Sequence, residues 1–389
     1  MRRSLIFSFA GLLSLVSVAC GDDGPVGGEG GAGGQGVEGG GGAVAEGGAG
    51  GGGGGTSCPE GSHEGASGCE ATLGQWSATS SLTRARDHHV SFVAEAPSGT
   101  YLYAMLGTTS LGSGADTVER ATLGEDGTLG AFELQDDFPE AIIGAGFAQV
   151  DRSFVVAGGL VEPGNSWTTT YVGSVNDDGS LAIAESEPLG VSRYHLTATA
   201  VGGYVFAIGG MSQDVSGPAP VQEVMPTIER ASFDGTTLGA WEELEPLAGP
   251  LTHHAAVAHD GAIYLIGGGE GLPAKTDIVR ATVGDDGSLS AFSNVGTLPE
   301  GRATSSAFVF LDHLYVVAGM AQLTGEERAT VLAAPIDAEG NVGAFVELAE
   351  LPLARAHAHQ APRSGPFVFS IGGSIAHMPQ KDVFFARFE

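Results

Sequence analysis

Five short stretches bring together residue types that bind anions, protons and metals: Arg86-Asp87-His88-His89, Arg193-Tyr194-His195, His253-His254, Arg302-Ala303-Thr304 and Arg355-Ala356-His357-Ala358-His359. A guanidinium fork binds a carboxylate bidentately, and imidazole gives or takes a proton near neutral pH. Arginines converging on one narrow space would hold an anionic ligand, because competition from water is weak there. The same residues have a second use, which is to satisfy backbone carbonyls and hold neighbouring copies of a repeat together. His88, His195, His253 and His357 also raise the question of a metal. Ligands must converge to about 2 Å from one ion, and six-fold spacing around an axis works against that, so neither a metal nor a cofactor is expected.

The stretches recur roughly every fifty residues, the period of propeller blades. Six hydrophobic strands ending in glycine share the period: Tyr103-Ala-Met-Leu-Gly107, Phe154-Val-Val-Ala-Gly158-Gly159, Val205-Phe-Ala-Ile-Gly209-Gly210, Ile263-Tyr-Leu-Ile-Gly267-Gly268, Tyr315-Val-Val-Ala-Gly319 and Val368-Phe-Ser-Ile-Gly372-Gly373. Thr108 and Met320 read as replacements of the second glycine in blades one and five. A second landmark follows each of the first five strands: Leu129-Gly-Ala-Phe132, Leu181-Ala-Ile-Ala184, Leu238-Gly-Ala-Trp241, Leu289-Ser-Ala-Phe292 and Val342-Gly-Ala-Phe345. Alternating apolar residues divided by turn chemistry give four strands per repeat. In blade three these are residues 195–201, 204–208, 228–233 and 238–243. Asp126-Gly127, Asp178-Gly179, Asp234-Gly235, Asp286-Gly287 and Glu339-Gly340 supply tight turns between third and fourth strands. Hairpin chemistry therefore accounts for the carboxylates at Asp177-Asp178 and Asp285-Asp286 without a calcium loop.

The sixth repeat ends after its third strand, at Val383-Phe-Phe-Ala-Arg-Phe-Glu389, and Leu73-Gly-Gln-Trp76 matches the missing element. The expected fold is all-β, a six-bladed propeller over residues 72–389 closed by an N-terminal strand in the last blade. Closure of this kind leaves no exposed sheet edge. At this point the chain resembles the kelch-repeat β-propellers, on the Arg-x-His or related approach to strand one, the twin glycine after strand two and the aromatic on strand four. Ala184 and the frequent Phe in place of Trp depart from that pattern.

The resemblance implies a face where the approach to strand one and the loop after strand two open together. Arg86, His88, Arg193, Tyr194, His195, His253, Arg302, Arg355 and His357 are the candidate ligand or partner residues there. Trp167, on the long loop 160–169 of blade two, and the loop 211–227 of blade three, with Pro218, Pro220 and Pro226, add candidate contact surface. Among kelch enzymes, a galactose-oxidase-like copper site needs a cysteine cross-linked to tyrosine, and no cysteine follows Cys69. No Gly-x-Ser-x-Gly elbow occurs in the blades. The preferred reading is a non-enzymatic binding or scaffolding module for a protein or glycan. The alternative is a carbohydrate-active kelch enzyme, sialic acid mutarotase-like or glycosidase-like, using Arg86, Arg193, Arg302 and Arg355 for a substrate carboxylate.

Arg2 and Arg3 precede an apolar run at 5–19 that is too short to span a bilayer and fits an export signal. Ser17-Val18-Ala19-Cys20 resembles the lipobox of bacterial lipoproteins, with Ser17 where Leu is usual, so residues 1–19 read as a signal peptide and Cys20 as the lipidated first residue. Residues 20–56 are mostly glycine, a tether whose mean reach is on the order of 30–35 Å. Cys58 and Cys69 are read as a disulfide within a small segment at 57–71, as exported chains usually oxidise such pairs. The expected location is the cell envelope, on a lipid anchor. Acidic residues outnumber basic ones 46 to 16, a formal charge of −30 that repels phosphate backbones and excludes nucleic acid as a partner.

Overall fold

The computed structural model describes residues 58–65, 68–109, 113–270, 273–321 and 325–389. The export segment, Cys20 and the glycine tether lie outside the described residues. Six four-stranded antiparallel sheets form a six-bladed propeller. From the axis outward, blade one runs Val90–Ala96, Gly99–Met105, Val118–Thr122 and Glu133–Leu134. Blade two follows with Gly146–Val150, Ser153–Ala157, Thr170–Val175 and Leu181–Ser186. Blade three is Thr197–Val201, Tyr204–Ile208, Ile228–Ser232 and Glu242–Leu244. Blade four is Ala255–His259, Ala262–Ile266, Asp277–Thr282 and Ser293–Thr297, and blade five Ser306–Phe310, His313–Val317, Val331–Pro335 and Val346–Glu347. In blade six Arg363–Ser364, Phe367–Ile371 and Val383–Arg387 are completed by Ser77–Ala78.

The second strand of each blade sits mid-sheet with another blade against either face, which is why it reads as an unbroken apolar run. Tyr103, Val155, Phe206, Ile263, Val316 and Phe369 are all buried there. The ring closes as the repeat count requires. Ser77 and Ala78 pair with Phe385 and Phe384, Leu73 pairs with Phe388, and Gly74 donates its N–H to Arg387 O at 2.8 Å. Leu129, Leu238, Leu289 and Val342 make the same pairing inside their own blades, with Leu123, Phe233, Val283 and Ile336. The N-terminal segment thus occupies the sixth copy of one local motif. Trp76 packs in the same apolar cluster as Phe384 and Phe388.

Three details differ from the sequence reading. Except in blade two, where the fourth strand starts at Leu181, the Leu-Gly-Ala-aromatic landmark is the corner before the fourth strand, so that strand begins at Glu242 in blade three where 238 was expected. The glycine register shifts by one in blades one and five. Leu106 and Ala318 hold the first left-handed position, with φ of 64° and 57°, and Gly107 and Gly319 are the second glycines. Steric crowding enforces this, as a Cβ on Gly107 would stand 2.2 Å from Asp87 O and one on Gly319 2.8 Å from Ala303 O. The long loops of blades two and three are themselves hairpins, pairing Leu160–Val161 with Asn165–Ser166 and Met211–Asp214 with Val221–Val224.

The aspartate turns do two jobs. Each aspartate accepts bonds from the backbone and side chains two to four residues on, as in Thr128 N to Asp126 Oδ1 at 3.0 Å and Ser180 N to Asp178 Oδ1 at 2.9 Å. The turn then docks on the preceding blade. Tyr103 donates to Gly179 O at 2.7 Å, Arg120 to Asp178 O at 3.1 Å, and Arg230 to Asp286 O at 3.0 Å. Blade six has no such turn. Cys58 and Cys69 are joined by a disulfide beside the pairing of His63–Glu64 with Cys69–Glu70, and Gly61 of this segment lies against Pro366 and Phe388 of blade six.

Two outcomes follow. Trp76→Ala, which empties a buried aromatic site in the closing segment, is expected to lower the free energy of unfolding by about 3–5 kcal/mol; denaturant titration showing a loss below 1 kcal/mol would contradict closure through this residue. Hydrogen bonds from Thr128, Ser180 and Ser288 lower the pKa of Asp126, Asp178 and Asp286, and those from Thr236 and Thr237 lower that of Asp234. A depressed folded-state pKa means this stabilisation is complete above the unfolded value near 4 and disappears as pH falls through the folded value. Replacing these four aspartates by asparagine is expected to give a melting-temperature deficit that shrinks between pH 5 and pH 2. Parallel melting curves for the two proteins would refute it.

Candidate functional site

The innermost strands are reached through one residue per blade in left-handed conformation: His88, Gly144, His195, His253, Thr304 and His357, with φ between 50° and 63°. Glycine and histidine suit that region, whereas β-branched Thr304 is an outlier there. The six peptides form a closed ring. Each N–H donates to the carbonyl of the preceding blade's equivalent: Gly144 to His88 at 3.0 Å, His195 to Gly144 at 2.8 Å, His253 to His195 at 3.4 Å, Thr304 to His253 at 2.8 Å, His357 to Thr304 at 3.2 Å and His88 to His357 at 3.0 Å. The left-handed turn sets the N–H toward one neighbouring blade and the C=O toward the other. A second ring surrounds it, in which the second glycine of each blade donates to the carbonyl two residues before the next blade's axial residue, as in Gly159 to Arg193 at 2.8 Å and Gly373 to Arg86 at 3.0 Å.

The arginines do not face the mouth. Arg86, Arg193 and Arg355 are wholly buried and Arg302 nearly so. Arg86 donates to Leu106 O, Thr117 O and Thr117 Oγ1 and, at 2.6 Å, to Glu119. Arg193 repeats the arrangement on Gly209 O, Thr227 and Glu229. Glu119 and Glu229 in turn accept the backbone N–H groups of Thr83 and Gly190. Arg302 binds Ala318 O and Thr330 Oγ1 at 2.8 Å. Arg355 binds Gly372 O and Asp382 O and lies over the Phe384 ring; burial pushes its pKa down to about 10. These side chains cap the carbonyl that ends their own second strand. The expectation that they clamp a ligand carboxylate at the channel mouth is corrected by this geometry, since each guanidinium is buried and donates inside its own blade.

The histidines do converge. Ring centroids lie 4.0 Å apart for His88 and His357 and for His195 and His253, 4.9 Å for His88 and His195, and 6.3 Å for His253 and His357. The hydrogen-bonded ring is narrow, so six-fold spacing does not separate these side chains as the sequence argument supposed. His359 joins them, 5.8–6.2 Å from His88, His357 and His195. It was visible only as the second histidine of His357-Ala358-His359. Desolvation holds His195, His253 and His357 well below the ordinary imidazole pKa, and His359 at about 3. Burial thus favours the neutral form of these four imidazoles. His88 Nδ1 bonds Asp87 at 2.8 Å and His357 Nδ1 bonds Ser374 Oγ at 3.0 Å. Both ring nitrogens of His195, Nδ1 of His253 and Nε2 of His359 are buried with no hydrogen-bond partner. Among the described residues no group of three or more His, Cys, Asp or Glu side chains is placed to hold a metal ion. The adjoining recess, lined by Gly144, Phe147, His195, Thr197, His254 and His359, holds about 30 Å³, room for about one water.

Beside the axis the two hairpins knit together. Tyr194, next to His195, pairs with Met211 at the base of the blade-three hairpin, and Ile143 with Leu160 at the base of the blade-two hairpin. Gln213 donates to Gly164 O at 2.6 Å and Val215 N to Asn165 Oδ1 at 3.0 Å. Gln222 donates to Tyr194 Oη at 3.0 Å and to Gln213 Oε1 at 2.5 Å, while burial raises the Tyr194 phenol to about 12. Trp167 is half-buried and tied through its backbone, donating to Gly159 O and accepting from Arg193 N. Gln213, Gln222, Asn165 and Ser166 carry this platform, and no spacing in the sequence singled them out.

No protein-family model matches the chain, and no curated protein matches it. Among solved structures the chain is similar to that of YjhT, with 13% identity, a TM-score of 0.59, and coverage of 80% of this chain and 96% of that one. The likeness is one of fold.

Arg193→Ala and Glu229→Gln are each expected to destabilise the propeller by about 3–5 kcal/mol, because each leaves its partner charged or polar, buried and unpaired. Chemical denaturation of the single and double variants measures the pair. Losses under 1 kcal/mol for both singles would mean that the arginine is not a structural member of its blade.

Proposed function

We propose that this is an exported, lipid-anchored envelope protein whose kelch-like propeller is a binding module for a protein or glycan, working from the hairpin face and without turnover. One observation carries the reading: the groups a carbohydrate-active site would need are committed elsewhere. All four candidate arginines are buried and donate within their own blades, and the axial recess takes about one water, far short of a sugar. The hairpins of blades two and three instead form a braced polar surface, with Gln222 and Glu223 exposed and Val221 at 67% exposure. Rigid loops on a rigid scaffold bind with little ordering cost. The apolar run at 5–19, the lipobox-like Ser17-Val18-Ala19-Cys20 and the glycine-rich 20–56 support an envelope location for this face, held off the membrane by the reach of the tether.

The test is to shorten the blade-three hairpin by replacing residues 214–221 with Asn-Gly, and to compare it with the parent chain on a glycan array and in pull-downs from envelope extract. The expected result is at least tenfold weaker capture with a melting temperature within a few degrees of the parent. Equal capture by the shortened protein, or catalysed interconversion or hydrolysis of any arrayed sugar, would overturn the reading.

A further inference from the structure

The blade-three hairpin has one edge in use and one edge open. In an antiparallel ladder, opposed residues alternate between pairs that exchange both main-chain bonds and pairs that exchange none. Met211 and Gln213 spend their main-chain groups on the blade-two side: Met211 exchanges bonds with Tyr194, and Gln213 donates to and accepts from Ser166 Oγ. Their opposites in the register are Val224 and Gln222, whose N–H and C=O groups therefore point out of the hairpin on its far side. Among the described residues nothing bonds to them there. No proline, lysine or register shift interrupts Val221–Val224, although natural edge strands are commonly blunted by such devices. The strand is held in place as well, through the Gln222 side chain on Tyr194 and Gln213.

Since Gln222 turns its side chain toward Tyr194, its neighbours Val221 and Glu223 face the other way, into solvent. Both are exposed, and so is Asp214, which stands opposite Val221 in the register. The two hairpins, at 160–169 and 211–227, carry Glu162, Asp214 and Glu223 and no lysine or arginine. We infer that Val221–Val224 takes an extended segment of a partner protein as an added antiparallel strand, with a lysine or arginine opposite Glu223 and an apolar residue two places on, opposite Val221. This rests on the reading of the hairpin face as the binding surface and narrows its partner to a protein segment of the form basic-x-apolar. Main-chain bonds to Gln222 and Val224 supply affinity in such a complex, and the alternate side chains supply specificity. Charge selects the occupant. A second copy of this chain would set acidic edge against acidic edge at a formal charge of −30 each, whereas a basic side chain across from Glu223 makes a favourable cross-strand pair.

The experiment titrates the full chain, by fluorescence anisotropy, into the labelled peptide Ser-Thr-Lys-Thr-Val-Thr and two relatives, one with proline between lysine and valine and one with glutamate in place of lysine. The first is expected to bind about tenfold or more tightly than either relative, and to slow amide exchange at Gln222 and Val224. The proline peptide keeps the charge but loses a main-chain donor, so equal binding of it would mark diffuse attraction to the acidic surface and overturn strand addition. Absence of binding by the first peptide at millimolar concentration would do the same. Val224→Pro removes one outward N–H and leaves the bonds of Val221 and Glu223 to their own partners; it is expected to weaken the first peptide about tenfold, the effect of one hydrogen bond, while Val224→Thr leaves binding unchanged. Should the proline variant fail to fold, Glu223→Lys at an exposed position decides: it is expected to reverse the preference toward the glutamate peptide, and an unaltered preference for lysine refutes the pairing. Failure of the wider reading looks different. Envelope or glycan capture that is lost on shortening residues 214–221 but kept by Val224→Pro and Glu223→Lys would overturn strand addition and leave the hairpin face as a binding surface, whereas capture kept by all three would overturn both.

Discussion

Six peptide hydrogen bonds running head to tail around the axis set the geometry of everything else. Each blade contributes one N–H and one C=O, and a residue can direct them to opposite neighbours only by leaving the extended conformation that flanks it. The left-handed region is where it goes, at φ near 50–63° in all six copies. That requirement selects the residue. Glycine meets it in blade two, histidine meets it four times, and threonine meets it at a steric cost that only a strongly determined backbone tolerates. The histidines are thus at the axis first for a backbone reason. Their side chains must then share the narrow space inside the ring, and this turns a structural preference into a cluster with chemical potential.

The arginines two residues earlier answer a different constraint. Each blade's second strand ends in a left-handed pair whose carbonyl has no strand partner, and burying it unpaired would be costly. A guanidinium offers several donors in a fixed plane, so one side chain satisfies the carbonyl at Leu106, Gly209, Ala318 or Gly372 and a group at the start of the third strand as well. Desolvating the charge is compensated by a carboxylate in blades one and three, through Glu119 and Glu229. In blade six it is met only by carbonyls and the Phe384 ring. Blades two and four dispense with the arginine, carrying Ile142 and Leu251 at its position.

What was legible in the sequence was local. Strand period, turn chemistry and the displaced Leu73-Gly-Gln-Trp76 copy are patterns within a dozen residues, and they identified the blade number and the closing strand. The twin glycines were misaligned by one in blades one and five because glycine identity was matched, whereas the backbone demands glycine only where a Cβ would strike the neighbouring segment, at Gly107 and Gly319. Side-chain direction was not legible. Arg193 and His195 are two residues apart, yet the left-handed turn at His195 and the bridge from Tyr194 to Met211 send the arginine into its own blade and the imidazole to the axis. The radius of the ring was equally hidden, since no period in a sequence states how far the sixth copy lies from the first. The Gln213, Gln222 and Asn165 contacts join loops some fifty residues apart that carry no shared motif.

A closed axis bears on where recognition can occur. Propellers that bind small ligands centrally need the innermost strands held apart, and here the opposite holds, with peptide bonds drawing them together and imidazoles filling what is left. Beside the axis there is room for about one water. The hairpins of blades two and three are anchored through residues adjoining the axial ring, Ile143 beside Gly144 and Tyr194 beside His195. Whatever stiffens the ring also stiffens the hairpins. Axis and rim are in this sense joined, since the residues that hold the hairpins are chain neighbours of those that close the ring.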